Sequence, residues 1–245
     1  MDEYNTVMID EPDKKFKLIP LLIFLGLQVL EAIGTIIAAA LIGQSHEYFF
    51  SLTWFGGKLL TLVVAIAVYH KSFARDAKSS VKNFGKFIAF SLVSFILFYV
   101  FSSGLTYYET LIDKWFNLGE AANQEGIYEY IKSSTDIIHY ILLGLTIVIL
   151  APILEEFEFR KLIFDSFPGC HFLVPAIVSS LIFGLAHMAE FAWTELLFLP
   201  VYVLPGFFFA LVYHYSGNNM YVSFFVHMTS NLISFVMIMA NLDSI

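Results

Sequence analysis

Charge is scarce in this chain. Only 14% of its 245 residues are Asp, Glu, Lys or Arg and 58% are hydrophobic, whereas a soluble domain averages about 25% charged residues. The deficit points to lipid as the solvent. Cysteine is nearly absent, and a lone Cys170 excludes both an intrachain disulfide framework and an all-cysteine metal site. No basic stripe exists, and a formal charge of −8 excludes nucleic acid as the expected partner. A cleavable leader does not fit either. Lys14, Lys15 and Lys17 precede an apolar run from Leu18 to about Gly43, far longer than the roughly 7–15 residues of a signal core. That run reads as a first transmembrane helix, behind a disordered acidic tail at Met1–Asp13.

What is present is a series of long apolar runs. A span needs about 20 mostly apolar residues, and candidates lie at about 18–43, 49–70, 86–108, 139–167, 172–190, 194–215 and 220–241. Glu31 and Lys58 fall inside the first two, so neither is purely lipid-facing. The polar stretch Glu109–Asp136 has helical spacing at Leu111, Trp115, Ile127, Tyr130 and Ile131, which fits an interfacial amphipathic segment or a short eighth element. No inverted internal repeat is visible. Lys71, Arg75, Lys78, Lys82 and Lys86 crowd between the second and third runs, while the acidic stretch holds only Lys114 and Lys132. The positive-inside rule then places the N-terminus in the cytoplasm and the acidic loop outside. An odd number of spans puts the C-terminus outside.

Near the middle of the fourth run stands Leu154-Glu155-Glu156-Phe157-Glu158-Phe159-Arg160. Each ionisable residue at membrane depth costs about 2.5–3.5 kcal/mol on insertion scales, so such a cluster reads by default as a functional site. Glu156 and Arg160, four apart, share a helix face, and pairing offsets the burial of both charges. Glu155 lies about 100° round the helix and is left available. Phe183 and His187 lie in the fifth run, and His227 and Asn231, again four apart, lie in the seventh. Counted from the nearest turns at 1.5 Å per residue, Glu155, His187, His227 and Asn231 lie roughly 20, 22, 15 and 21 Å deep. Three helices bring their polar groups to a similar depth. His46, His70, His139, His171 and His214 read instead as hydrogen-bonded packing residues. Gly184 and Ala186 permit close helix contact, and Glu158 faces either the same cavity or the interface.

A carboxylate and a histidine around one water make a general base pair. A second histidine and an asparagine amide suit a developing oxyanion. Together they describe peptide or ester hydrolysis without a covalent intermediate. Ser179, Ser180 and Ser230 lack a Gly-x-Ser-x-Gly elbow. Two histidines and a glutamate (Glu155, His187, His227) also match a hydrolytic zinc shell, although the helical His-Glu-x-x-His pattern is absent.

The ordered set Glu155-Glu156-…-Arg160, Phe183-…-His187 and His227-…-Asn231 resembles the CAAX protease and bacteriocin-processing family of intramembrane endopeptidases, the type II CAAX prenyl proteases and their bacterial relatives. The resemblance covers roughly residues 139–241. It implies an all-α, polytopic bundle of about 7–8 transmembrane helices. Residues 1–17 form a cytoplasmic tail, 18–136 accessory helices and the polar external loop, and 137–245 a four-helix catalytic core. It also implies an integral membrane peptidase of the bacterial cell membrane, with its cavity open to the cytoplasm and a peptide or lipidated protein in the bilayer as substrate. In that scheme Glu155 and His187 activate water, His227 and Asn231 hold the oxyanion, and Arg160 holds Glu156. No cofactor is favoured, with zinc on Glu155, His187 and His227 as the alternative. Glu158 and Lys161 depart from the family's usual uncharged residue and glycine. A reading from another class is a non-catalytic bacteriocin-immunity or transport protein, for which Pro200 and Pro205 in the sixth run give some support.

Overall fold

A computed structural model describes residues 17–42, 48–119, 121–188 and 192–240; the acidic N-terminal tail and His46 lie outside the described residues. Among these there are eight helices and no strands. Lipid offers the backbone no hydrogen-bonding partner, so spanning segments must satisfy their N–H and C=O groups internally, and helices do so. In chain order they are α1 (Leu18–Ile42), α2 (Phe49–Lys82), α3 (Phe84–Phe116), α4 (Ala122–Lys132), α5 (Ile137–Ser166), α6 (Leu173–Ala186), α7 (Trp193–Tyr215) and α8 (Met220–Ala240). The chain is an integral, multi-pass membrane protein.

Three expectations change. Among the described residues six helices, not seven, are long and apolar enough to span, because α6 has only 14 residues. It stops because His187 takes its end. The His187 amide bonds the Gly184 carbonyl at 3.2 Å and the ring Nδ1 bonds the Phe183 carbonyl at 2.8 Å, satisfying acceptors that another turn would otherwise use. The amphipathic stretch also divides. Leu111 and Trp115 belong to α3, which ends where Asn117 turns left-handed (φ 52°), and only the remainder forms α4. The basic cluster is likewise helical rather than looped, since α2 and α3 meet at the single residue Asn83.

Large aromatic residues join the helices. Phe98 of α3 stacks on Phe209 of α7 at 4.8 Å between centroids. Phe157 of α5 packs on Tyr69 and Phe73 of α2, and Phe159 on Phe24 of α1 and Phe183 of α6. α6 and α7 approach closely, where Gly184 lies against Val203 and Gly206 against Phe183. This packing draws α5, α6 and α8 around one buried polar region.

α5 is not a uniform helix. Its Thr146–Leu150 and Glu156–Leu162 stretches are wound in wide π turns, on either side of Glu155. The first has an identifiable cause in Pro152, which lacks an N–H and whose ring excludes the carbonyl four residues before it. Such turns recur at functional sites.

Candidate active site

The three motifs meet in one place. Glu155 Oε2 lies 3.8 Å from His187 Nε2 and 3.7 Å from His227 Nε2. Both distances exceed a direct hydrogen bond, and contacts of this length are commonly bridged by water. The Glu155, His187 and His227 side chains are 15%, 24% and 7% exposed, so all three reach solvent-accessible space. With Asn231 they line a cavity of about 270 Å³.

The outer bonds decide which ring nitrogen faces Glu155. His187 Nδ1 is 2.8 Å from the Phe183 carbonyl, which can only accept, so Nδ1 carries the hydrogen. His227 Nδ1 donates to Glu156 Oε1 at 3.0 Å. In their neutral forms both imidazoles therefore turn an Nε2 lone pair toward Glu155. Ring contacts fix their planes. His187 lies 4.2 Å from the Phe183 ring and His227 stacks on Phe209 at 4.5 Å.

Glu156 and Arg160 are placed differently. Both side chains are wholly buried, with Glu156 Oε2 at 3.3 Å from Arg160 Nε. Arg160 also donates to Ser179 Oγ at 3.1 Å, and its guanidinium lies 4.8 Å from the centre of the Phe183 ring. The pair thus has no face in the cavity, but Glu156 reaches it through His227. Burial here is offset by charge pairing, a hydrogen bond and a cation–π contact.

Asn231 lines the cavity and donates from Nδ2 to the Ile147 carbonyl of α5 at 3.0 Å. One of its two amide hydrogens is therefore engaged in a bond between helices. Glu158 turns away from the cavity toward α1, accepting from Gln28 Nε2 at 2.7 Å. Nearby, Lys58 and Glu31 pair across α2 and α1 at 2.8 Å, which accounts for charges in those two spans.

The cavity takes in residues that the sequence does not single out. Trp54 and Phe98 come from α2 and α3, Asn123 and Ile127 from α4, and Tyr202 of α7 stacks on His187 at 5.8 Å. An aromatic side chain among 27 Phe and 13 Tyr carries no positional signal. Asn123 was hidden in the polar stretch. The site therefore draws on helices before residue 137 as well as on the C-terminal core. A second, mostly apolar cavity of about 550 Å³ adjoins it, sharing Trp54, Asn123 and Ile127. The other described histidines lie elsewhere. His139 is buried on the Tyr130 carbonyl, His70 bonds Ala67, His171 accepts from the Leu173 amide, and His214 stacks on Phe172.

A tetrahedral zinc ion with bonds of about 2.0–2.1 Å holds its ligand atoms about 3.4 Å apart. The glutamate-to-histidine separations here are 3.7 and 3.8 Å. Among the described residues, no group of three His, Cys, Asp or Glu side chains converges as a metal site requires. As placed, the two separations are about 0.3–0.4 Å wider than such a shell.

Comparison with known proteins agrees with the motif pattern. Residues 137–233 match the family described as type II CAAX prenyl endopeptidase, Rce1-like. An uncharacterized protein of Mycoplasma capricolum is 34% identical over 158 residues, covering 63% of this chain and 44% of that protein. A Bacillus subtilis protein named as the membrane peptidase YdiL is 37% identical over 92 residues, 37% of this chain and 34% of its own length. The membrane-embedded CAAX protease MroQ of Staphylococcus aureus is 37% identical over 90 residues, 34% of each chain. This chain thus spans less than half the length of these curated relatives. No solved structure matches it significantly. From Ile137 to Ile233, through all three motifs, the chain resembles the Rce1-like type II CAAX prenyl endopeptidases.

Proposed function

We propose that this protein is an intramembrane endopeptidase that hydrolyses a peptide bond of a membrane-associated or lipidated peptide with water activated by side chains. The observation that carries the reading is the placing of one glutamate oxygen, Glu155 Oε2, between two imidazole Nε2 atoms at 3.7 and 3.8 Å.

The chemistry follows from which groups can accept and which can donate. Water held between Glu155 and His187 loses a proton to the carboxylate as its oxygen attacks the scissile carbonyl carbon. The carbonyl π pair moves onto oxygen. His227, as an imidazolium, donates Nε2–H to that oxyanion, and the second amide hydrogen of Asn231 supplies another donor. The neutral ring has no Nε2–H in the tautomer set by Glu156, so this role requires the charged form. Glu156 balances that charge through Nδ1, and Arg160 keeps Glu156 in place. Collapse of the tetrahedral intermediate expels the amine, which takes the proton back from Glu155. No cofactor is needed for these steps.

The adjoining 550 Å³ cavity, walled by Phe49, Phe50 and Trp54 among others, suits a bulky apolar part of the substrate. The basic α2–α3 junction supports a cytoplasmic N-terminus, and the likeness to MroQ and YdiL supports a bacterial membrane. The test is cleavage of a panel of labelled apolar peptides by the purified protein. Glu155→Ala, His187→Ala and His227→Ala should each abolish it, and chelators should leave the wild type active. Cleavage that survives all three changes overturns the reading. Loss in chelator with recovery on added zinc would replace the water-activation scheme with a metal-dependent one.

A further inference from the structure

Pro152 lies inside α5, three residues before Glu155. In the wide turn before it, the Ala151 amide bonds the Thr146 carbonyl, five residues back. The next rung in that register would run from residue 152 to the Ile147 carbonyl. Proline has no N–H to make it. Ala151, the donor an ordinary α turn would use, is already on Thr146. The Ile147 carbonyl is thus served by neither residue 151 nor residue 152. Asn231 reaches across from α8 and donates Nδ2 to it at 3.0 Å.

We propose that Asn231 is a positioning residue for α5. Its side-chain amide replaces the backbone rung missing at Pro152 and fixes the wide turn that sets Glu155 against the two histidines. A carbonyl inside a membrane bundle has no water to fall back on, so a lost partner is felt in full. The same bond ties the helix that carries His227 to the helix that carries Glu155. Asn231 is one turn beyond His227 on α8, and Ile147 is two turns before Glu155 on α5. One hydrogen bond therefore sets the separation of the two elements on which the 3.7 Å approach depends. That Glu155 is the group being positioned rests on the proposed peptidase chemistry; the bond's part in the helix does not.

The experiment is a thermal-unfolding cycle on the full chain purified in detergent. The variants are Asn231→Ala, Pro152→Ala and the pair. Asn231→Ala should lower Tm by about 2–4 °C in the wild-type background. In the Pro152→Ala background it should cost less than half as much, because residue 152 then supplies an N–H. Equal losses in both backgrounds overturn the proposal. If Pro152→Ala does not fold, Asn231→Asp decides the matter. Measured at about pH 9, where the carboxyl is ionised, it keeps the shape but has no hydrogen to donate to Ile147, so an Asp variant as stable as wild type there is equally fatal. Cleavage gives a separate readout. Asn231→Ala should lower kcat/KM about tenfold or more, and the pair should recover part of that loss. A pure oxyanion donor gains nothing from Pro152→Ala. The thermal cycle needs no substrate, so its failure is distinct from failure of the peptidase reading, which Glu155→Ala decides.

Discussion

Replacing Glu156 with Gln removes one charge from a fully buried pair while conserving shape. Glu156 and Arg160 are each 0% exposed, and their closest atoms lie 3.3 Å apart. At an effective dielectric near 20, unit charges at that distance attract by about 5 kcal/mol. What survives in the variant is the 3.1 Å bond from Arg160 to Ser179 and the contact with the Phe183 ring. Neither is charged, so the guanidinium is left unbalanced in a membrane interior. Breaking a buried pair from one side costs about 3–5 kcal/mol. At about 2–4 °C per kcal/mol for a chain of this size, Tm should fall by roughly 6–20 °C. Arg160→Met should cost a similar amount, since it leaves the buried carboxylate with only the His227 Nδ1–H as a partner. The double variant, Glu156→Gln with Arg160→Met, should lose clearly less than the sum, because no unpaired charge remains. The assay is thermal unfolding in detergent followed by tryptophan fluorescence. Single losses below about 1 kcal/mol, or a double variant additive within about 0.5 kcal/mol, would refute the assignment of this pair as mutually compensating.

Other expectations follow from local geometry. Glu155→Gln should reduce cleavage by about 10²–10⁴, the range for a lost general base. It should barely move Tm, since its histidine contacts at 3.7 and 3.8 Å are too long to be hydrogen bonds; a large drop in Tm would show a structural role instead. Gly184→Leu should separate α6 from α7, because even a Cβ there presses on the Val203 side chain and lies 3.1 Å from the Val203 nitrogen. A loss of about 1–3 kcal/mol is expected, and unchanged stability would show that the helices yield at no cost. Asp76→Ala should cost about 0.5–2 kcal/mol. Its Oδ2 accepts from the Met220 amide at 3.5 Å at the start of α8, where a carboxylate also complements the helix dipole. Chemical denaturation measures it, and a neutral result would remove Asp76 as a cap.

Much of the candidate site was legible because charge in lipid has few explanations. The i,i+4 spacing of Glu156 and Arg160 announced their pairing, and helix-rise arithmetic put Glu155, His187 and His227 at similar depths. The helical bundle was legible from apolar length, which marks seven runs, while α4 came from helical spacing within a polar stretch. What spacing did not reveal depended on backbone irregularity or on distant contacts. A regular 3.6-residue helix was assumed through Pro152, so the wide turn and the Asn231–Ile147 bond were invisible. The fifth run looked about 19 residues long in hydropathy, yet α6 stops after 14, where a histidine side chain takes the Phe183 carbonyl in its last turn. Trp54, Phe98 and Asn123 enter the cavity through tertiary packing, which no local pattern encodes. Glu158 was legible as a buried acid, but its partner Gln28 is 130 positions away.

The shortness of α6 bears on the membrane beside the candidate site. Fourteen residues rise about 21 Å, whereas the hydrocarbon core is about 30 Å thick. Lipid beside this helix cannot keep its full thickness without leaving apolar tails against the polar end where His187 sits. Hydrophobic mismatch of this kind thins the adjacent leaflet. Such thinning would bring the headgroup region toward the histidine that ends the helix. One premature helix end would thus place the His187 ring beside Glu155 and bring the headgroup region toward both.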